Sequence, residues 1–199
     1  MFTLTELAAK YKSDKGTLNI YNDRNMLVHD YTVFYDKLFY PMKNYSVRLL
    51  DIGGWGDNEG GSSKMFREYF INGEIYSLDI NLNISKLEDF NIKTLVVDLN
   101  DEYSFKNKIA EWNIKFDVVI EDASHYPKQQ IRTMFNLLPY LNPCSIYIIE
   151  DVPYTLESIA EYFYELLSKE ENLLLLNRIR EDYIVQTNKF SKLLYFVVK

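Results

Sequence analysis

Cysteine is all but missing from this 199-residue sequence, and histidine is nearly so: Cys144 stands alone, and the histidines are His29 and His125. One cysteine excludes an internal disulfide and any zinc site built on paired thiolates. Positive charge is also short, with 22 Lys and Arg against 29 Asp and Glu and a net charge of −7. A nucleic-acid partner wants a basic face, so that class is disfavoured. An acidic site suits a cation instead, either a metal ion or a charged cofactor. No apolar run approaches the length of a membrane span and no leader segment is legible, so the expectation is a cytoplasmic protein with no membrane partner. Glycine is scarce as well, yet five of the seven fall between positions 53 and 61. Aromatic residues are plentiful, 17 Tyr and 12 Phe. They read first as packing and second as a wall of rings and hydroxyls for a polar organic ligand. The length fits one domain with a sizeable core.

The first forty residues read as helical. Thr3 and Glu6 have capping-box spacing, and Leu4, Leu7, Ala8 and Tyr11 share a face. A polar loop, Lys12-Ser13-Asp14-Lys15-Gly16-Thr17, leads to a second helix with Tyr31, Phe34, Tyr35, Leu38 and Phe39 on one side, ended by Pro41. His29, near its start, is either a polar residue on a helix or a member of a site. From Val47 onward, strand and helix alternate. Five apolar runs end in acid, at Asp51, Asp79, Asp98, Asp122 and Asp151, each one strand-plus-helix unit from the next. Helical stripes lie between them: Met65, Phe66, Tyr69 and Phe70; Ile131, Met134, Phe135 and Leu138; Leu156, Ile159, Ala160, Phe163 and Leu167. Parallel strands with right-handed crossovers put all five acids on one rim of one sheet. Tyr183 to Gln186 and Leu193 to Val198 read as an antiparallel hairpin at the sheet edge, while Leu173 to Leu176 fits helix or strand.

The stretch DIGGWGDNEGG leads from a strand into a helix starting near Ser62. Glycine there lets the backbone turn tightly and approach a ligand, toward which the first N–H groups of the helix point. A phosphate loop is excluded because Gly61 is followed by Ser62-Ser63-Lys64. The dinucleotide fingerprint breaks at Glu59. The Tyr-x-x-x-Lys that a short-chain dehydrogenase carries after its fourth strand is matched there only by Tyr195 to Lys199, in the terminal strand. What remains is Asp51, a turn through Gly53, Gly54, Gly61 and Ser62, and then Asp79, able to accept both ribose hydroxyls. That pattern suits S-adenosylmethionine (SAM), with Asp98 at the adenine edge. Asp122 and His125 follow the run Val118-Val119-Ile120, and Glu150 and Asp151 follow the adjacent one. Their carboxylates can converge on a divalent cation such as Mg²⁺, and His125 can act as a base near neutral pH. The competing reading is that these acids cap helices opened by Pro127 and Pro153. Glu121 points to the opposite strand face from Asp122 and is assigned to the cofactor rather than to the chemistry.

At these residues the chain resembles class I SAM-dependent methyltransferases, and within them the macrocin O-methyltransferase-like enzymes that methylate sugar hydroxyls. The resemblance rests on Ser13 to Thr17, His29-Asp30-Tyr31, Gly60-Gly61-Ser62 through Met65 to Phe70, Asp117 to His125, and Ile146 to Asp151. It implies an α/β, Rossmann-like three-layer sandwich with a seven-stranded, mostly parallel sheet, the fourth strand in its middle and an antiparallel C-terminal hairpin. It implies one domain, with residues 1–45 as a helical cap and 46–199 as the SAM-binding core. It also implies metal-assisted O-methylation of a sugar or nucleotide sugar, with His125 as base and Asp122, Glu150 and Asp151 as metal ligands. A homo-oligomer is compatible with it. The sequence departs from the family in three places. Ala123 stands for the glycine of Asp-Asp-Gly-Ser-His, Pro143-Cys144-Ser145 for Pro-Gly-Gly, and Trp55 interrupts the glycine loop. Two other readings share the sheet: a nicotinamide-dependent oxidoreductase, and a non-catalytic binding protein.

Overall fold

The structure is a computed structural model that describes residues 2–17, 29–56, 59–152, 179–186 and 192–199. The chain opens with α1 (Leu4–Tyr11), whose start is a complete capping box: the Glu6 amide donates to Thr3 Oγ1 at 3.2 Å and the Thr3 amide to the Glu6 carboxylate at 2.8 Å. Leu4, Leu7 and Ala8 form its buried stripe. Helix α2 (Tyr31–Phe39) buries Tyr31, Tyr35 and Phe39 and runs into a 3₁₀ turn at Tyr40–Met42, where Pro41 ends it. His29 lies just before this helix rather than on it.

Strands and helices then alternate: β1 (Arg48–Ile52), α3 (Gly61–Tyr69), β2 (Glu74–Asp79), β3 (Lys93–Val96), α4 (Glu102–Trp112), β4 (Phe116–Glu121), α5 (Pro127–Leu137) and β5 (Leu141–Ile149). Between β2 and β3 the chain winds as a 3₁₀ segment, Leu82–Phe90. The terminal hairpin is β6 (Ile179–Gln186) and β7 (Lys192–Val198). The expected stripe from Leu156 to Leu167, Leu173 to Leu176, and most of the hairpin turn lie outside the described residues. Strand order is β3-β2-β1-β4-β5-β7-β6, which puts β4 at the centre. β1 to β5 pair in parallel, and β7 is antiparallel to β5 and to β6. The expected α/β sandwich, with a mostly parallel sheet and an antiparallel terminal hairpin, is what forms.

Alternation along the strands sorts the core into two layers. Leu49, Val118, Ile120 and Ile148 face α1, α2 and α3, packing on Tyr35, Phe39 and Phe66. Leu50, Ile52, Val119 and Tyr147 face α4 and α5, packing on Phe105, Ile109, Ile131 and Met134. At the carboxyl rim the central strands end level, with Ile52 opposite Glu121 and Glu121 opposite Ile149. The ladder then runs one step further: the Asp122 amide donates to the Ile52 carbonyl and the Glu150 amide to the Glu121 carbonyl, each at 2.9 Å. Asp122 and Glu150 are therefore set by sheet register, not by free loops. β5 begins earlier than the apolar run from Ile146, and it reaches back past Cys144, which takes the left-handed φ of 63°. Cysteine adopts there the conformation that the family's glycine would supply.

Candidate active site

The carboxyl rim encloses a cavity of about 460 Å³, within the usual range for small-ligand sites. The glycine turn forms part of its wall. Gly53 has φ +85°, and a Cβ on it would lie 2.1 Å from the Asp122 carbonyl oxygen. A Cβ on Gly54 would lie 2.0 Å from Ser77 Oγ. Glycine is thus required by the packing of β1 against its neighbours as well as by any ligand. Asp51 sits behind this turn, where it accepts from Ser62 Oγ at 2.7 Å and Ser63 Oγ at 2.6 Å and so ties β1 to the start of α3. Burial raises its pKa. Asp79 ends β2 in the cavity wall and accepts from the Trp55 amide at 3.1 Å and the Asn81 amide at 2.8 Å. Trp55 therefore enters the loop as a backbone donor that orients Asp79. Asp98 lies two residues past β3, exposed, and accepts from the Asn100 amide at 2.8 Å.

The cavity is also lined by a cluster of acids and imidazoles. His125 Nε2 lies 3.0 Å from Asp122 Oδ1 and 3.6 Å from Asp151 Oδ2. His29 Nδ1 lies 3.1 Å from Asp151 Oδ1, which also accepts from Tyr31 Oη at 2.6 Å. Ligand atoms of Asp122, His125 and Asp151 all fall within 4.8 Å of one another. Both His125 (φ 54°) and Asp151 (φ 49°) take left-handed backbone, a strained state that concentrates at functional positions. The bond to Asp122 raises the His125 pKa. Burial works to raise the Asp122 carboxyl, but Lys15 and His125 outweigh it and hold it well below the usual carboxylate range.

Of the residues singled out from sequence, Gly53, Gly54, Gly61, Ser62, Asp79, Asp98, Asp122, His125 and Asp151 line this one cavity, while Asp51, Glu121 and Glu150 do not. Glu121 shares the α4/α5 face with Val119 and is fully buried, and burial with the Asp122 charge pushes its carboxyl up to about 8. Glu150, expected as a metal ligand, points to the other face and is buried too. Its Oε1 accepts from Tyr35 Oη at 2.5 Å, and its Oε2 pairs with Lys15. Lys15 Nζ also lies 2.5 Å from Asp122 Oδ2. Lys15, Tyr31 and Tyr35 were not singled out as site residues. Lys15 and Tyr31 lie in stretches that carry the family resemblance, and a rim of buried acids requires a buried cation and donors. Helical spacing marks the two tyrosines only as core.

A search of protein-family profiles finds no match. Among curated proteins the chain is 35% identical over 157 residues to mycinamicin VI 2''-O-methyltransferase of Micromonospora griseorubida. It is 36% identical over 158 residues to demethylmacrocin O-methyltransferase of Streptomyces fradiae. Each alignment takes in 75% of this chain and 36% of the relative, so the chain spans about a third of the length of these curated relatives. Among solved structures, a MycE methyltransferase from the mycinamycin biosynthetic pathway, in complex with Mg, SAH and mycinamycin VI, superposes with a TM-score of 0.74 at 25% identity. That match covers 98% of this chain and 54% of the other. An O-methyltransferase from Bacillus cereus in complex with SAH shares the fold, with a TM-score of 0.60 at 18% identity and coverage of 99% and 90%.

Proposed function

We propose that this chain, a relative of the macrocin O-methyltransferase-like sugar O-methyltransferases, transfers a methyl group from SAM to a hydroxyl of a sugar or nucleotide sugar. The observation that carries the reading is one cavity lined by two chemistries: the glycine turn with Asp79, and His125 bonded to Asp122 at 3.0 Å. The relatives' names support the reaction type, and the MycE complexes with Mg and SAH support the cofactor and the metal. In domain terms, residues 1–45 act as a helical cap on a SAM-binding core of 46–199, working in the cytoplasm.

In this reading Gly53, Gly54, Gly61 and Ser62 hold the methionyl part of the cofactor, Asp79 accepts from the ribose hydroxyls, and Asp98 faces the adenine edge. Asp51 and Glu121 act from behind the wall, Asp51 by holding the glycine turn to α3. Two carboxylates beside an imidazole, with ligand atoms within 4.8 Å, form a hard donor set that fits a divalent cation such as Mg²⁺. Asp122 and Asp151 would hold it. When bound, such an ion lowers the pKa of an acceptor hydroxyl. His125 donates its Nε2–H to Asp122, which leaves the Nδ1 lone pair free to take the hydroxyl proton. Asp122 would steady the imidazolium so formed, and the freed oxygen would take the methyl carbon as its bond to the sulfonium sulfur breaks and SAH departs.

The test is incubation with SAM, Mg²⁺ and a panel of nucleotide sugars and glycosides, followed by mass spectrometry. At least one sugar should gain a single methyl group, and rigorous chelation should abolish the gain. No methylated product, together with no calorimetric binding of SAM, would overturn the proposal.

A further inference from the structure

Helix α5 grips the loop that carries Asp98. Arg132 Nη2 donates to the Leu99 carbonyl at 3.2 Å, and Gln129 Nε2 donates to Asn100 Oδ1 at 3.2 Å. Three residues apart, Gln129 and Arg132 are neighbours on one face of the helix. Gln129 is 9% exposed and lines the cavity. Asn100 passes the contact on: its backbone amide, at 2.8 Å, and its Nδ2, at 3.1 Å, both donate to Asp98 Oδ1. The direction of this relay is forced. The Asp98 carboxylate only accepts, so Asn100 turns Nδ2 toward it and Oδ1 away, and Oδ1 then needs a donor. Gln129 Nε2 is that donor. Two hydrogen bonds fall on Oδ1 of Asp98, and among the described residues none falls on Oδ2.

From this relay we infer that Gln129 is a positioning residue for recognition of the cofactor's adenine. It acts through Asn100, which pins Asp98 by one oxygen and leaves the other for a donor in the cavity. On the reading of Asp98 at the adenine edge, on which the inference rests, that donor is the 6-amino group. Without Gln129 the Asn100 carboxamide loses the contact that fixes its orientation. The Asp98 carboxylate, whose terminal torsion has a broad range, then turns among several orientations. Holding Asp98 in place beforehand removes that ordering cost from cofactor binding. The helix that begins two residues after His125 therefore also sets the contact to adenine.

The test is calorimetry on the full chain with two ligands: SAH, and its purine analogue in which hydrogen replaces the 6-amino group. Wild type should prefer SAH by roughly tenfold, the worth of one hydrogen bond to a charged group. Gln129→Glu keeps the size and removes the donor, so Asn100 is drawn to turn Nδ2 toward the new carboxylate and its oxygen toward Asp98. The preference should fall below about threefold through weaker SAH binding alone, with the analogue bound within about twofold of wild type. Gln129→Lys restores a donor and should keep the preference. Asn100→Ala breaks the relay from its other end and should match Gln129→Glu, so the inference stays testable where Gln129→Glu fails to fold. A packing role for Gln129 would weaken both ligands alike, and that result overturns the inference. So does a preference retained in Gln129→Glu or Asn100→Ala, or an equal loss in Gln129→Lys. Asp98→Ala separates the two failures. A preference lost there but kept in Gln129→Glu overturns the inference alone, whereas one that survives Asp98→Ala overturns the adenine-edge reading as well. Equal binding of the two ligands to wild type overturns both.

Discussion

At the scale of single residues, Asp79 and His125 line one cavity from different strand ends, and their substitutions should have separable effects. Asp79→Ala should abolish calorimetric binding of SAH. His125→Ala should leave that binding within threefold of wild type while lowering turnover by roughly 10²- to 10⁴-fold, the usual contribution of a positioned base. Loss of SAH binding in His125→Ala with turnover intact would reverse the assignment. Glu121 makes a prediction of a different kind. Its carboxyl stands at about 8 against an unperturbed 4.5, so between those pH values the folded chain holds a proton that the unfolded chain has released. For an acid shifted in this direction, stability falls as pH rises through the window. The loss by pH 8 is on the order of 4 kcal/mol. Glu121→Gln should therefore melt well above wild type at pH 8 and close to it at pH 5, with chelator present; equal gaps at both pH values would refute the account. The spacing of Asp122 to His125 made that pair legible in the sequence, because three residues past a strand end is a short reach. The fate of Glu150 was not legible. Strand alternation puts it on one face or the other, but its partners, Lys15 and Tyr35, come from 135 and 115 residues away, and no local pattern encodes that meeting.

At the scale of elements, the strands were readable because each parallel strand is a short apolar run closed by an acid. Their exact ends were not. β3 stops at Val96, before Asp98, and β5 extends back to Leu141, since pairing with a neighbour, not composition, decides where a ladder begins and ends. The left-handed backbone at His125 and Asp151 was equally hidden, because neither residue type announces it. The glycine turn was legible as a turn but not as a packing constraint. Gly54 faces Ser77 and Ser63, whose hydroxyl oxygens would lie 2.0 and 2.7 Å from an added Cβ. Gly54→Ala should cost about 1–3 kcal/mol through overpacking. Adding Ser77→Gly should recover part of the loss, a non-additivity expected of touching residues. Denaturant unfolding of the two single variants and the double variant measures it, and strict additivity would mean that the clash is relieved elsewhere.

At the scale of the molecule, the cavity is a joint product of the sheet rim and the segments that follow α1 and precede α2. Filling it should stabilise the whole fold. SAH at a hundredfold excess over its Kd adds about 2.7 kcal/mol, which for a chain of this size is roughly 5–10 °C in Tm. Asp79→Ala should lose that shift, and a shift retained in Asp79→Ala would place the ligand elsewhere. The chain's acid excess was visible from composition, and the expectation of a cation followed from it. That Lys15 pairs with Asp122 and Glu150 needed the three-dimensional arrangement.

That arrangement has a consequence for synthesis. Lys15 leaves the ribosome 135 residues ahead of Glu150, and at ordinary elongation rates this interval is on the order of ten seconds. For the first 107 of those residues the ammonium lacks both of its partners, Asp122 and Glu150, and the bonds of Tyr31 and Tyr35 to Asp151 and Glu150 wait for the end of β5. The cap cannot settle into its final packing until β4 and β5 have emerged and joined the sheet. Closure of the site is therefore a late event in the birth of the chain, and its completion reports that the central sheet is in register.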